Sequence, residues 1–240
     1  MTTRLLVINP NSTSVITNGL RRALEPYRAA HVHLDYFTGP ERAPTGIRDF
    51  RTGILTAAIC FEELENTGAF EAYDGFLVCC FTDHPLQHMI REQLGPTSPK
   101  PCIGMFEAGL SKALMLSRKI GVLSTGSGPK PLLSKGVMNF LGAAGSDRWA
   151  GGVTSGIAIE ELREARAKSK VERLMKETAA KVAEKGADCI IMGCAGMAGM
   201  EPLVLAGVRE AGLPDVRVID AAVAGLVMLV GMVETDRPRQ

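Results

Sequence analysis

Apolar residues in this 240-residue chain fall into short unbroken runs, separated by longer stretches in which apolar positions recur three and four apart. The unbroken runs predict strands at Arg4–Ile8, Val32–Tyr36, Gly75–Cys80, Cys102–Phe106, Ile120–Ser124, Gly151–Thr154, Cys189–Gly193 and Val216–Ile219. The helical spacing predicts helices at Val15–Glu25, Ile47–Asn66, Pro85–Leu94, Leu110–Ser117, Lys130–Leu141, Glu160–Lys185, Pro202–Ala211 and Ala221–Val233. Strands that are apolar on both faces, alternating with helices, belong to parallel sheets covered on both sides, so the fold class is α/β. The charge-dense stretch Glu160–Lys185 reads as a solvated helix face. Ala221–Val233 is apolar all round but shorter than the roughly 17–25 residues of a membrane span, which predicts a buried helix.

The pattern repeats. "LLVINPNS" from Leu5 matches "IGVLSTGS" from Ile120, an offset of 115. "DGFLVCC" from Asp74 matches "DCIIMGC" from Asp188, an offset of 114. "GMFEA" from Gly104 matches "RVIDA" from Arg217, an offset of 113. A collinear set of strands at nearly constant spacing predicts two similar α/β halves. The first would span residues 1–115, with 221–240 returning to it; the second would span 116–220.

The repeat sets two of the six cysteines apart. Cys80 and Cys194 each stand six residues after an Asp, at the carboxyl end of a predicted strand, where open parallel sheets bind ligands. Cys60, Cys79, Cys102 and Cys189 lie inside apolar patterns and read as packing residues. Alternation along the strand sends Cys79 and Cys80 to opposite faces. Two halves facing each other would bring two thiols to one cleft from opposite sides. Such a pair suits proton transfer across a carbon: one thiolate takes a proton from one face, and one thiol gives a proton to the other. The carbanion between them needs an adjacent carbonyl, with backbone N–H groups at following helix N-termini to stabilise the oxyanion. Gly193, Gly196 and Gly199 would let backbone approach a ligand closely.

Other polar residues carry two readings each. Asn11 is either a ligand donor and acceptor or a helix N-cap before Val15. Ser124-Thr125 holds the equivalent place in the second half. Asp83 is either the cap before Pro85 or a partner for a substrate N–H. His84 and His88 have the spacing of two metal ligands on a helix, but no third ligand stands at a suitable distance, so no metal is expected. "GCAGMAG" departs from the dinucleotide fingerprint and "TGSGPK" from the phosphate-binding loop, which leaves no nucleotide cofactor. A net charge of +1 and scarce aromatics give no footprint for nucleic acid or an anionic membrane. Cysteines without a C-x-x-C framework or a signal peptide point to reduced thiols in the cytoplasm.

"LLVINPNST" at the N-terminus, "CFTD" from Cys80, "IGMFEA" from Ile103, "IGVLSTG" from Ile120 and "GCAGMAGM" from Gly193 resemble the aspartate/glutamate racemase superfamily. Within it, the resemblance is to the hydantoin racemase branch with its allantoin racemases and fungal relatives. It covers nearly the whole chain. It implies two pseudo-symmetric α/β domains with the active site in the cleft between them, a homo-oligomer, no cofactor, and catalytic cysteines at Cys80 and Cys194. Amino acid racemases of the superfamily usually follow the first cysteine with Asn-Thr and the second with Thr-His; Phe81-Thr82 and Ala195-Gly196 look like the ring-amide branch. One departure is His84-Pro85, where the branch often has Pro-Gly, which places a larger side chain at the cleft mouth.

The expected function is therefore a cofactor-independent racemase or epimerase of a cyclic ureide or amide: a hydantoin, allantoin, or a ring such as a diketopiperazine. Asn11, Phe81, Thr82, Asp83, Thr125, Gly193, Ala195 and Gly196 would hold the ring. A lyase or isomerase acting on a small dicarboxylate is the second enzyme reading. A non-catalytic small-molecule binder is the reading from another class, and a binder needs no thiol on each face.

Overall fold

The computed structural model describes residues 2–126 and 131–236. The chain divides into two compact units, Met1–Ala108 with Ala222–Gln240, and Gly109–Ala221. The first unit runs β1 (Thr3–Asn9), α1 (Ser14–Leu24), β2 (Val32–Thr38), α2 (Phe50–Asn66), α3 (Ala69–Ala72), β3 (Gly75–Val78), α4 (Pro85–Leu94) and β4 (Cys102–Gly104). Helix α5 (Met105–Leu116) carries the chain into the second unit. That unit continues β5 (Ile120–Ser124), α6 (Pro131–Leu141), β6 (Trp149–Thr154), α7 (Lys168–Glu184), β7 (Cys189–Met192), α8 (Glu201–Glu210) and β8 (Arg217–Asp220). The final helix, α9 (Ala221–Asp236), belongs to the first unit from Ala222 onward.

Each unit holds one four-stranded parallel sheet, ordered β2-β1-β3-β4 in the first and β6-β5-β7-β8 in the second. Unbroken apolar strands follow from burial on both faces. In the first unit Leu6, Ile8, Phe76 and Val78 pack against Ala57, Cys60 and Leu64 of α2, Phe70 of α3, and Leu86 and Ile90 of α4. The opposite face receives α9: a methyl group added to Gly75 would lie 3.0 Å from Val233 and 3.1 Å from Leu229. Its all-round apolar sequence is thus explained by packing; among the described residues no helix is long and apolar enough to cross a membrane. In the second unit Leu123, Ile190 and Met192 pack against Val171, Met175, Ala179 and Val182 of α7 and Val204 and Val208 of α8. Helices α7 and α8 touch backbone to backbone, since a Cβ on Gly207 would sit 2.3 Å from the Lys176 carbonyl oxygen.

The register makes the repeat exact where the central strands meet. Leu5 pairs with Gly75 and Ile8 with Val78; Ile120 pairs with Cys189 and Leu123 with Met192. The entry to each central strand is tied alike. The Asp74 carboxylate accepts from Arg4 N at 2.8 Å, and the Asp188 carboxylate accepts from Lys119 N at 2.8 Å. The third match in sequence is three residues out. Val78 pairs with Gly104 and Met192 with Asp220, so Gly104 corresponds to Asp220, not Arg217. Hydrogen-bond register, which an apolar-pattern match cannot see, decides the offset.

Several boundaries also shift. Strands β3, β4 and β7 stop at Val78, Gly104 and Met192, earlier than the apolar runs suggest. Helix α5 begins at Met105, directly after β4, not at Leu110. The stretch Glu160–Lys185 is not one helix: two 3-10 turns precede α7, separated by Glu164 in an extended conformation. Most of "TGSGPK", from Ser127 to Lys130, lies outside the described residues.

Candidate active site

Both singled-out cysteines stand two residues beyond a central strand. The Cys79 N–H donates to Ile8 O at 2.8 Å, and the Gly193 N–H donates to Leu123 O at 2.7 Å. These bonds are equivalent, and each is the last rung before the chain leaves the sheet. The next residues are Cys80 and Cys194. Of the six cysteines these two alone are not buried. Burial pushes the thiols of Cys60 and Cys102 up to about 12 and that of Cys189 up to about 11, which keeps them neutral packing groups. Cys79 is buried too.

The turn after β3 places Thr82 Oγ1 3.3 Å from Cys80 Sγ. When the sulfur is a thiolate, this hydroxyl is a donor to it. The Phe81 ring is buried and meets Phe106 edge-on at 5.2 Å. This corrects the expectation of an open apolar face for a ligand: the ring anchors the turn to α5. Asp83 does not cap α4. The cap is His84, whose Nδ1 accepts from Leu86 N at 3.3 Å, with Pro85 at the first helical position. The Asp83 Oδ1 instead accepts from Gln87 Nε2 at 3.3 Å and pairs with His88 Nε2 at 2.7 Å. His84 is not at an open mouth either; it is almost fully buried. The two histidines thus turn to different partners, Thr56 for His84 and Asp83 for His88.

At the carboxyl end of β1 the expected cap is also reassigned. Thr13 is the N-cap residue of α1, but its side chain makes no capping bond and donates instead to Thr45 O at 2.7 Å. The Asn11 Oδ1 accepts from Thr13 N at 3.0 Å and from Asn9 Nδ2 at 3.2 Å. The Asn11 side-chain NH₂ has no acceptor among the described residues. Asn9 is the residue that the sequence reading missed. It is fully buried, and its Nδ2 also faces Thr13 O and Thr17 Oγ1. Its position as the last residue of an apolar strand, before a Pro, was the available signal.

The Cys194 turn is built differently. Cys194 leads into a 3-10 turn, Ala195–Met197, and α8 starts only at Glu201. No α-helix N-terminus begins at either cysteine: the helices that follow, α4 and α8, start at Pro85 and Glu201. The Gly193 N–H is used by Leu123, and its carbonyl accepts from Ser124 Oγ at 3.3 Å, so Gly193 is scaffold, not a ligand donor. Of the three glycines only Gly199 needs a positive φ, at 80°. Its N–H donates to Asp220 Oδ2 at 2.9 Å, a second anchor missed in sequence because Asp220 was matched to the wrong place in the repeat. Ala195 and Gly196 are buried. The N–H groups of Phe81, Thr82 and Ala195 find no acceptor among the described residues. The same holds for the hydroxyl of Thr125, which is buried at the end of β5.

A family model described as Asp/Glu/Hydantoin racemase matches residues 5–229. The chain belongs to this racemase family. The uncharacterised protein C1F7.10 of Schizosaccharomyces pombe is 36% identical over 97% of this chain and 93% of its own. A hydantoin racemase of Rhizobium meliloti is 27% identical, covering 94% of this chain and 88% of its own. Among solved structures, an allantoin racemase from Klebsiella pneumoniae superposes with a TM-score of 0.79 at 21% identity, covering 98% of this chain and 89% of its own. That similarity shows the fold of the racemase family: two α/β units, each with a four-stranded parallel sheet. Family membership supports an isomerase of the racemase type.

Proposed function

We propose that the protein is a cofactor-independent racemase or epimerase of a cyclic ureide or amide, with Cys80 and Cys194 as its two acid/base groups. The observation that carries the proposal is their equivalence: the same step after the same strand in both units, and the two cysteines of six that are not buried. Both sulfurs act on one substrate carbon in this reading. One thiolate removes the proton, so a C–H bond breaks and an S–H bond forms. The electron pair moves into the neighbouring carbonyl as an enolate. The opposite thiol then gives its proton to the other face, a new C–H bond forms, and that sulfur is left as thiolate. The charge has changed sides, and the reverse turnover or proton exchange with water resets it.

A ring amide is favoured by what surrounds the turns. Phe81 N, Thr82 N, Ala195 N and the Asn11 NH₂, which have no acceptor among the described residues, suit, with the Thr125 hydroxyl, a neutral ring with several C=O and N–H groups. Ala195-Gly196 stands after Cys194, where the resemblance to the amino acid racemases would call for Thr-His. The relatives named as hydantoin racemases support the same substrate class. A missing partner costs about 1–3 kcal/mol, so discrimination between rings and open acids should be large. Hydantoins, allantoin and cyclic dipeptides are compared with aspartate and glutamate in D₂O, following optical rotation and deuterium uptake. Exchange into at least one ring compound faster than into either amino acid is expected. Faster exchange into aspartate or glutamate than into every ring overturns the substrate class.

A further inference from the structure

The six residues from Cys79 to His84 carry the chain from β3 to α4, and Cys80 is the second of them. Their N-terminal end is fixed by the Cys79 N–H on Ile8 O. Across Phe81, Thr82 and Asp83 no backbone N–H is bonded among the described residues. Side chains hold the segment instead: the Phe81 ring on Phe106, the Asp83 carboxylate on Gln87 and His88 and, at the far end and fully inside the packing, the imidazole of His84. Its two nitrogens are both engaged. Nδ1 accepts from Leu86 N at 3.3 Å, so it carries no proton. The proton then sits on Nε2, which faces Thr56 Oγ1 of α2 at 3.1 Å. Thr56 Oγ1 can accept it, because its own hydroxyl hydrogen goes to Thr52 O at 2.8 Å or Gly53 O at 3.0 Å. Every donor has an acceptor, and the set fixes one tautomer and one ring orientation. His84 and Thr56 are 1% and 0% exposed, so water cannot replace a lost partner without opening the packing.

We propose that His84 is a positioning residue for Cys80: as a neutral ring clamped between Thr56 of α2 and the first turn of α4, it sets the far end of the turn that presents the thiol. This rests on the reading of Cys80 as an acid/base group, although its first test does not. The matching position in the second unit, Ala198, has no such ring. Burial lowers the imidazole pKa to about 4, with Asp83 opposing that shift and His88 adding to it, which is consistent with a ring that stays neutral at ordinary pH.

Two variants test it, Thr56→Val, which removes the hydroxyl at nearly constant volume, and His84→Asn, which keeps a capping oxygen but is too short to reach α2. The first readout is alkylation by iodoacetamide, with Cys80 and Cys194 followed separately by peptide mapping. Cys80 should change rate by about threefold or more while Cys194 stays at its wild-type rate. The second is racemization of a ring amide: kcat should fall about tenfold to a hundredfold with KM within about twofold, since a thiol displaced by an ångström still allows binding. If His84→Asn does not fold, Thr56→Val decides alone. A folded variant with a lowered melting temperature but wild-type Cys80 alkylation overturns the proposal. If wild type racemizes no ring compound, the alkylation comparison still decides, and it is the functional reading that has failed.

Discussion

The Cys80 turn and the Cys194 turn begin from the same rung of the same kind of sheet and then part company. After β3 the chain makes an open turn, meets a Thr hydroxyl at the sulfur, and is caught by a buried histidine. After β7 it coils into a 3-10 turn, bends at Gly199 with φ 80°, and is caught by a carboxylate, Asp220. Cys194 Sγ has no hydrogen-bond partner among the described residues. The sheet register fixes where the two thiols stand. The polar residues of the turns give the two thiols different surroundings.

The second unit depends on the close contact of α7 with α8. Gly207→Ala would push a methyl group to 2.3 Å from Lys176 O and 2.4 Å from its Cα, where backbone cannot yield. Helices α7 and α8 must separate, at a cost of about 3 kcal/mol or more. Thermal unfolding should fall by several degrees, with Cys194 becoming more reactive to alkylation ahead of Cys80. A Tm within a degree of wild type would show that the two helices are not locked together.

Acid should destabilise the first unit through His84. The folded pKa of His84 is about 4, below its ordinary 6.5. The unfolded chain binds the proton first, so stability from the neutral ring is complete above pH 6.5 and is lost as pH falls toward 4. The loss reaches roughly 3 kcal/mol at the bottom of the window. Urea midpoints measured between pH 7 and 4 should decline in wild type and decline less in His84→Asn. Parallel curves would remove His84 from the account.

How much of this was legible in sequence depends on the range of the interaction. Unbroken apolar strands, the two-fold repeat and the matched cysteines are local patterns, and they carried the fold class and the two candidate thiols. The role of His84 was hidden because its partner Thr56 is 28 residues away on another helix. Phe81 was misread because an apolar residue beside a thiol can face a ligand or a neighbouring ring, and only packing against Phe106 distinguishes them. Asp220 was missed because the match of "GMFEA" to "RVIDA" aligned similar letters three residues off register.

Correct register exposes a smaller difference. At the place of Asp220 the first unit has Gly104, and the Gln87 side chain fills the space a Cβ would take, with Oε1 only 1.9 Å away. Gly104→Ala should displace buried Gln87, loosen its bond to Asp83, and cost about 1–3 kcal/mol. Calorimetry would read the loss; no change in Tm would mean that Gln87 has room to move. Thr82→Val is the mildest change. Removing the donor to the sulfur should slow alkylation of Cys80 about twofold to fivefold at pH 7 and leave Cys194 untouched. An unchanged Cys80 rate would leave the two thiols alike in this respect.

The proposed racemization needs both thiols, one as proton acceptor and one as proton donor. The most direct measurement of this need is racemization by Cys80→Ala and Cys194→Ala, followed by optical rotation on a ring compound that wild type turns over, with circular dichroism to verify the fold. Each variant should lose activity by about a thousandfold or more, because neither remaining thiol can serve both faces. Near-normal turnover in either folded variant would contradict the two-thiol account.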